Sequence, residues 1–470
     1  MRVVSPTSNS ILHGAHVSVT QVFLSGFVFG MFFVAGCKPA ESSAKPTSVA
    51  MRPDGKWNVI LISVDTLRPD RLSCYGYKRN TSPSIDRLAK RGVRFESVIS
   101  ECSWTAPAHM TLFTGLYPTT HGVTTPGVSL WNRIPTLPEV LKQNGYRTFA
   151  YTGGGNVAAY YGFGRGFERY LVSGEGKNGL KSCALDKAII LAQEQIERFQ
   201  SEEPYFIFVH GYDVHAPYEP WEPWASRFRS PDAEPFDDYL RDDFDFKKQG
   251  RRLSPGNIKF LSDLYDAGVA RADQLLGGFF KFLERRGELE RTVVIFLSDH
   301  GEEFGEHGSV GHYGTIYPEC LRVPLVIVGP GLAPGVVRQS VGLKDVMPTL
   351  LQLVGIPAPP TRGCSLVTLM RGEHLGPWPM FSETDYGVHL RSVIWEGHQM
   401  IRKAYDPVPR LFDLRTDPNA NRDMAKDHPQ RVAGLMAIMP DPPADVAVHD
   451  LTPDVDIDAL RALGYVGSRN

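Results

Sequence analysis

A surplus of charge of either sign is absent from this chain. Its 50 Lys and Arg stand against 52 Asp and Glu, a net charge of −2. That gives no basis for a nucleic-acid partner or a generally basic surface. Internal repeats are missing, and the 36 prolines and 45 glycines read as many structured loops rather than low-complexity sequence. Cysteine is sparse. With Cys37 set aside, the others (Cys74, Cys102, Cys183, Cys320 and Cys364) are odd in number and match no zinc or disulfide framework. A long hydrophobic span is lacking as well. Val22–Gly36 is uncharged and mostly apolar but falls short of the roughly 20 residues a spanning helix needs.

That run ends in Val34-Ala35-Gly36-Cys37, with small residues ahead of a cleavage point. Residues 1–36 resemble a bacterial lipoprotein signal, with Cys37 as the lipidated first residue of an exported, membrane-tethered protein. The segment ahead of the run is long and holds Arg2 as its one firm positive charge. A plain signal peptide or uncleaved anchor is the alternative. Residues 37–56, rich in Pro, Ser, Thr and Ala up to Ala50, read as a flexible tether.

At 470 residues the remainder can hold a large α/β domain and a smaller one. Trp57–Val64 is a β-branched apolar run, hence a buried central strand, and Asp65 stands at its C-terminal end, the ligand-binding edge of open parallel sheets. Further strands are predicted at Arg147–Tyr151, Tyr205–Val209, Thr292–Leu297 and Leu321–Val328. Cover helices are predicted at Ala184–Phe199 and Ile258–Arg286. At the strand exits lie the glycine loop ending in Asn156, the run His210–Tyr218 with Asp213 and His215, and Asp299-His300. Adjacent Asp and His offer a carboxylate and an imidazole to a divalent ion. Glu219–Gly256 is read as largely without regular structure, and Asp266 and Asp273 as a surface salt-bridging face of the long helix. After Pro357–Pro360 the pattern turns to short strands, the signature of a small antiparallel sheet. The boundaries are therefore 57–356 for a catalytic domain and 357–470 for a C-terminal subdomain.

The stretch Cys102–Gly122 places Thr105 two residues before Pro107, ahead of a helix-like run. A helix N-terminus favours an anionic ester there; a plain helix cap is the simpler role. A cation held by Asp65, Asp299 and His300 could coordinate the Thr105 hydroxyl and activate it as a nucleophile, with His215 helping to offset charge on the transferred group.

The runs VDTLRPDRLSCYGY, TSPSIDRLAKRGVRF, TAPAHMTLFTGLYPTTHG, HAPYEP, LSDHGEEFGEHG, TIYPECLRVPLVIVGPG, DVMPTLLQLVGIP, LFDLRTDPN and LRALGYVG follow one another. In that order they resemble the sulfatase family of the alkaline phosphatase superfamily. The resemblance implies an α/β fold, a mixed, mostly parallel sheet sandwiched by helices with a small C-terminal antiparallel sheet. It implies metal ligands at Asp65, Thr105, Asp299 and His300, with Thr105 as nucleophile. His215 matches a histidine that contacts the transferred group, and His312 falls where many sulfatases place a lysine. Sulfatases carry Cys-x-Pro-x-Arg, its Cys oxidised to formylglycine; here Thr105-Ala106-Pro107-Ala108-His109 takes its place, so no formylglycine is predicted. The family's Lys-Trp-His run is missing, with Thr152–Asn156 in that region, and its paired acids are reduced to Asp65-Thr66.

Thr105 and His215 are thus the expected catalytic residues, and His109, Asn156, His215 and His312 the expected substrate-binding set. A Thr nucleophile resembles the phosphoryl-transfer relatives, which include nucleotide pyrophosphatase/phosphodiesterases, lipoteichoic acid synthases and phosphoethanolamine transferases. One divalent ion (Ca, Mg, Mn or Zn) is expected. A second ion near Asp213, His215 and His312 is disfavoured because the two-metal Asp-x-x-x-His spacing is missing. The expected partner is an anionic ester, on a glycan or a lipid headgroup. The expected activity is cleavage of phosphate mono- or diesters. The alternatives are sulfate-ester hydrolysis by the Thr itself and a silent binding protein on the same scaffold.

Overall fold

The computed structural model describes residues 56–172, 185–199, 203–236, 252–312, 314–403 and 408–439. The predicted signal segment, Cys37, all of the tether but Lys56, and the LRALGYVG run lie outside these residues.

Apolar runs become strands as expected. β1 (Asn58–Val64) is buried at every position. It lies between β5 (Tyr205–Gly211) and β6 (Thr292–Leu297), parallel to both. A nine-stranded sheet forms with the order β10-β2-β9-β6-β1-β5-β3-β4, and β11 also pairs with β2. The remaining members are β2 (Val93–Ile99), β3 (Arg147–Thr152), β4 (Arg169–Val172), β9 (Arg322–Val328), β10 (Gly335–Val337) and β11 (Val341–Gly342). Only β9 runs antiparallel, between β2 and β6. The sheet is therefore mixed and mostly parallel, as the sequence implied.

Alternation along the strands sorts the core into two faces. Val59, Leu61, Phe206, Phe208, Ile295 and Leu297 pack under the helix Thr105–Thr114. Ile60, Ile62, Ile207, Val209, Val294 and Phe296 pack against the helices Leu185–Arg198 and Pro255–Arg285. A separate antiparallel sheet, β12-β13-β14-β15, spans Met380–Thr384, Leu390–Trp395, His398–Lys403 and Arg410–Asp413. It braces the segment ahead of Thr105: Glu383 N donates to the Glu101 carbonyl (2.9 Å) and Ser382 Oγ to the Ser100 carbonyl (2.7 Å). The intervening hairpin, β7 (Glu303–Phe304) with β8 (Val310–Gly311), leads into His312.

One expectation needs correction. Asp266 and Asp273 are buried rather than a solvated face. Asp266 binds Arg71 (3.1 Å), Arg79 (2.9 Å) and the Tyr77 hydroxyl, while Asp273 accepts from the backbone of Ser84 (2.9 Å) and Ile85 (2.8 Å). The long helix is covered there by chain from residues 71–85, so its acids meet cations and peptide N–H groups instead of water. Within Glu219–Gly256, the described part carries a short helix, Trp224–Phe228. Among the cysteines, Cys364 is in a disulfide whose partner lies outside the described residues, and Cys74, Cys102 and Cys320 are free.

Candidate active site

The polar site is the continuation of one core face. Two residues beyond Leu61 comes Ser63, and two further comes Asp65. The β1–β5 register pairs Ser63 with His210, and the β1–β6 register pairs Ser63 with Leu297, two residues before Asp299. The helix Thr105–Thr114 covers this face. Trp104 is its N-cap and Thr105 its first residue, so the hydroxyl does not serve as the cap.

Asp65, Thr105, Asp299 and His300 come together, all fully buried. Thr105 Oγ lies 3.4 Å from His300 Nε2, which is 3.3 Å from Asp299 Oδ2 and 3.8 Å from Asp65 Oδ1. The donor atoms of Asp65, Asp299 and His300 all lie within 4.8 Å of one another. Asp65 Oδ1 and Asp299 Oδ2 are buried without a hydrogen-bond partner. Carboxylate oxygens in that condition, beside an imidazole whose Nδ1 is tied to the Gly301 carbonyl (3.0 Å), suit a divalent cation. The donor set therefore fits the metal that the sequence implied.

Burial pushes the Asp65 carboxyl well up, with Asp299 and Glu302 adding to the rise. Asp299 moves the other way, because His300 and His109 overcome its own burial. His300 is pushed down to about 4, His215 to about 4 and His312 to about 3, burial being the main cause in each. The imidazoles are accordingly neutral near pH 7.

His312 donates Nδ1–H to Glu302 Oε1 (2.7 Å), and its ring centroid lies 4.4 Å from that of His300 and 5.1 Å from that of His215. His215 thus stands on the rim of the same cluster. Asn156 connects through Tyr212: its N–H donates to the Tyr212 hydroxyl (3.2 Å), while its side-chain Nδ2 is buried without a partner. His109 is fully buried, 3.3 Å from Asp299 Oδ2. Asp213 is turned away from any second-metal role, since Arg271 and the Leu185 N–H (3.0 Å) occupy its carboxylate.

Sequence reasoning gave no role to Ser63 or Glu302, and noted His210 only as one of two imidazoles at a strand exit. His210 Nε2 lies 3.2 Å from Asp65 Oδ2. The period-two pattern of β1 could have marked Ser63 as sharing a face with Asp65, and the matching pattern in β5 could have marked His210. Cys102, the one cysteine near Thr105 in sequence, is buried with its thiol pushed up by that burial.

The Sulfatase family model matches residues 57–356. The chain belongs to the sulfatase family. This sulfatase-family chain is 25% identical to the multifunctional alkaline phosphatase superfamily protein PehA of Trinickia caryophylli, over 79% of this chain and 91% of the relative. It is 26% identical to the choline-sulfatase of Rhizobium meliloti, over 79% of this chain and 83% of the relative. In fold it is similar to the phosphonate monoester hydrolase of Agrobacterium radiobacter, with a TM-score of 0.67 and 23% identity over 81% of this chain and 96% of the other. The protein is a sulfatase-family hydrolase of sulfuric or phosphoric esters.

Proposed function

We propose that this enzyme cleaves phosphate mono- or diesters with Thr105 as nucleophile and a divalent cation held by Asp65, Asp299 and His300. The carrying observation is Thr105 Oγ, 3.4 Å from His300 Nε2 at the N-terminus of a buried helix, in the position of the family's oxidised cysteine. The cation would supply a Lewis acid that lowers the pKa of the hydroxyl and offsets charge on the transferred group. Thr105 attacks phosphorus as the bond to the leaving oxygen breaks, and water then releases the phosphoryl group from Thr105. The helix N-terminus favours the anion at that point, and the unpaired Asn156 Nδ2–H group is a donor for one of its oxygens.

Sulfate-ester hydrolysis by the same hydroxyl is the second reading, favoured by the family match and by choline-sulfatase as a relative. Matched aryl phosphate, phosphodiester and sulfate substrates, assayed with Mn²⁺, Mg²⁺, Ca²⁺ or Zn²⁺, separate the two. Turnover of the phospho-esters lost in Thr105→Ala, with a phosphorylated Thr105 peptide trapped at low pH, is expected. Unchanged turnover in that variant defeats the nucleophile assignment, and a clear sulfate preference reverses the substrate class. We also assign the enzyme to the exterior side of a membrane, tethered through Cys37, with 357–470 as its second structural unit.

A further inference from the structure

Five histidines crowd this site, and their hydrogen bonds sort them into two kinds. His300, His215 and His312 each direct Nδ1 at an oxygen that can only accept: the Gly301 carbonyl, the Ala216 carbonyl and the Glu302 carboxylate. Nδ1 therefore carries the proton, and Nε2 is left with its lone pair, the arrangement of an imidazole that ligates or accepts. His109 and His210 differ. The Gly153 N–H faces His210 Nδ1 (3.4 Å), so Nδ1 is the acceptor and Nε2–H points at Asp65 Oδ2, 3.2 Å away. His109 Nδ1 sits 3.0 Å from the Thr105 carbonyl and 3.3 Å from Asp299 Oδ2, both acceptors, while Nε2 is 2.9 Å from Ser63 Oγ. Here too the nitrogen beside the carboxylate is the protonated one.

By distance alone Asp65, His109 and His210 form a second trio of ligand atoms within 4.8 Å of one another. A cation between Asp65 Oδ2 and His210 Nε2 would need the lone pair of a nitrogen that the hydrogen bonds protonate. We propose that His109 and His210 are positioning residues and that this trio is the outer shell of a single metal site. His109, one helical turn beyond Thr105, holds the Thr105 carbonyl through Nδ1, faces Asp299 Oδ2 across 3.3 Å and, through Ser63, joins the strand that leads into Asp65. His210 orients Asp65 in turn. The place of the family's arginine is thus taken by an imidazole that faces Asp299 instead of the transferred group.

The inference rests on the metal-dependent reading above, and one experiment separates the two. Purified protein is loaded with Mn²⁺, its metal content counted by mass spectrometry and its affinity measured by chelator competition. Wild type should hold one equivalent. His109→Ala and His210→Ala should keep one equivalent with roughly 10- to 100-fold weaker affinity, the usual effect of removing an outer-shell partner. His109→Asn and His210→Gln retain an N–H donor near the same place, and should recover affinity to within a few-fold while unfolding at the wild-type temperature. Two equivalents in wild type, with one lost in all four variants, would make the histidines ligands and overturn the proposal. Unchanged affinity in the Ala variants would overturn it as well, with the metal-dependent function intact. No uptake by wild type at all would defeat both readings.

Discussion

His121 offers a direct test of how the buried floor of the site is held. It lies under the helix Thr105–Thr114, fully buried, with Nδ1 accepting from the Val123 N–H (3.1 Å). Its Nε2 lies 3.2 Å from Thr111 Oγ1 and 3.3 Å from the Pro107 carbonyl. Both neighbours belong to the helix that starts at Thr105. Burial pushes this imidazole down to about 3, so it folds neutral. In the unfolded chain it takes up a proton near pH 6.5. Its contribution is therefore fully present above that pH and drains away as pH falls toward the folded value. At pH 5 the loss is about 2 kcal/mol, from about 1.4 kcal/mol for each of one and a half pH units. That corresponds to roughly 2–3 °C in Tm for a chain of this length. His121→Asn keeps an acceptor for Val123 and cannot titrate. Urea unfolding of both proteins from pH 8 to pH 4 should show wild type ahead at neutral pH and its lead shrinking by that amount at pH 5. An offset that stays constant across the range would refute the reasoning, because it would mean that His121 titrates alike in both states.

Gly301 is the next residue to His300, and an added Cβ would meet the Glu319 carbonyl oxygen at 2.0 Å. Gly301→Ala should lower stability by about 1–3 kcal/mol, as overpacking does, and weaken metal binding by shifting His300; thermal unfolding and metal titration read the two effects. Divalent metal should raise stability by about 4 kcal/mol at a thousand times its Kd, seen as a higher Tm than in EDTA. Asp65→Asn should abolish that shift, and a shift retained in this variant would remove Asp65 from the ligand set.

Much of the framework was legible because buried parallel strands are written as short β-branched runs, and four such runs end in polar clusters. Asp65 and Asp299-His300 could be found that way without knowing which strands are neighbours. His210 could be found there too, but its role could not, since that depends on β5 lying beside β1 in a register that pairs it with Ser63. Asp266 and Asp273 show the same limit from the other side. Their common helix face could be read from spacing, but their partners Arg71, Arg79, Ser84 and Ile85 come from nearly two hundred residues earlier. His109 was placed in the substrate set by motif spacing, whereas its direction is fixed by Ser63 and Asp299 on two separate segments.

The electrostatic logic of the site follows from that direction. Asp65, Asp299 and Glu302 are buried close together, and the side chains they meet, His210, His109, His300 and His312, include several that burial holds neutral. Two carboxylates in a low-dielectric site cannot both ionise without a compensating charge. Asp65 is raised and Asp299 lowered accordingly. An arginine in place of His109 would bring permanent positive charge to this cluster; the imidazole brings a directed donor to the Thr105 carbonyl. Charge compensation then falls on the cation and on the N-terminal end of the helix that begins at Thr105. On the proposed mechanism, Thr105 in the place of the family's cysteine and His109 in that of its arginine act together. An unmodified hydroxyl needs strong local acidification, and a cluster without a competing guanidinium leaves both carboxylates available to hold the ion that provides it.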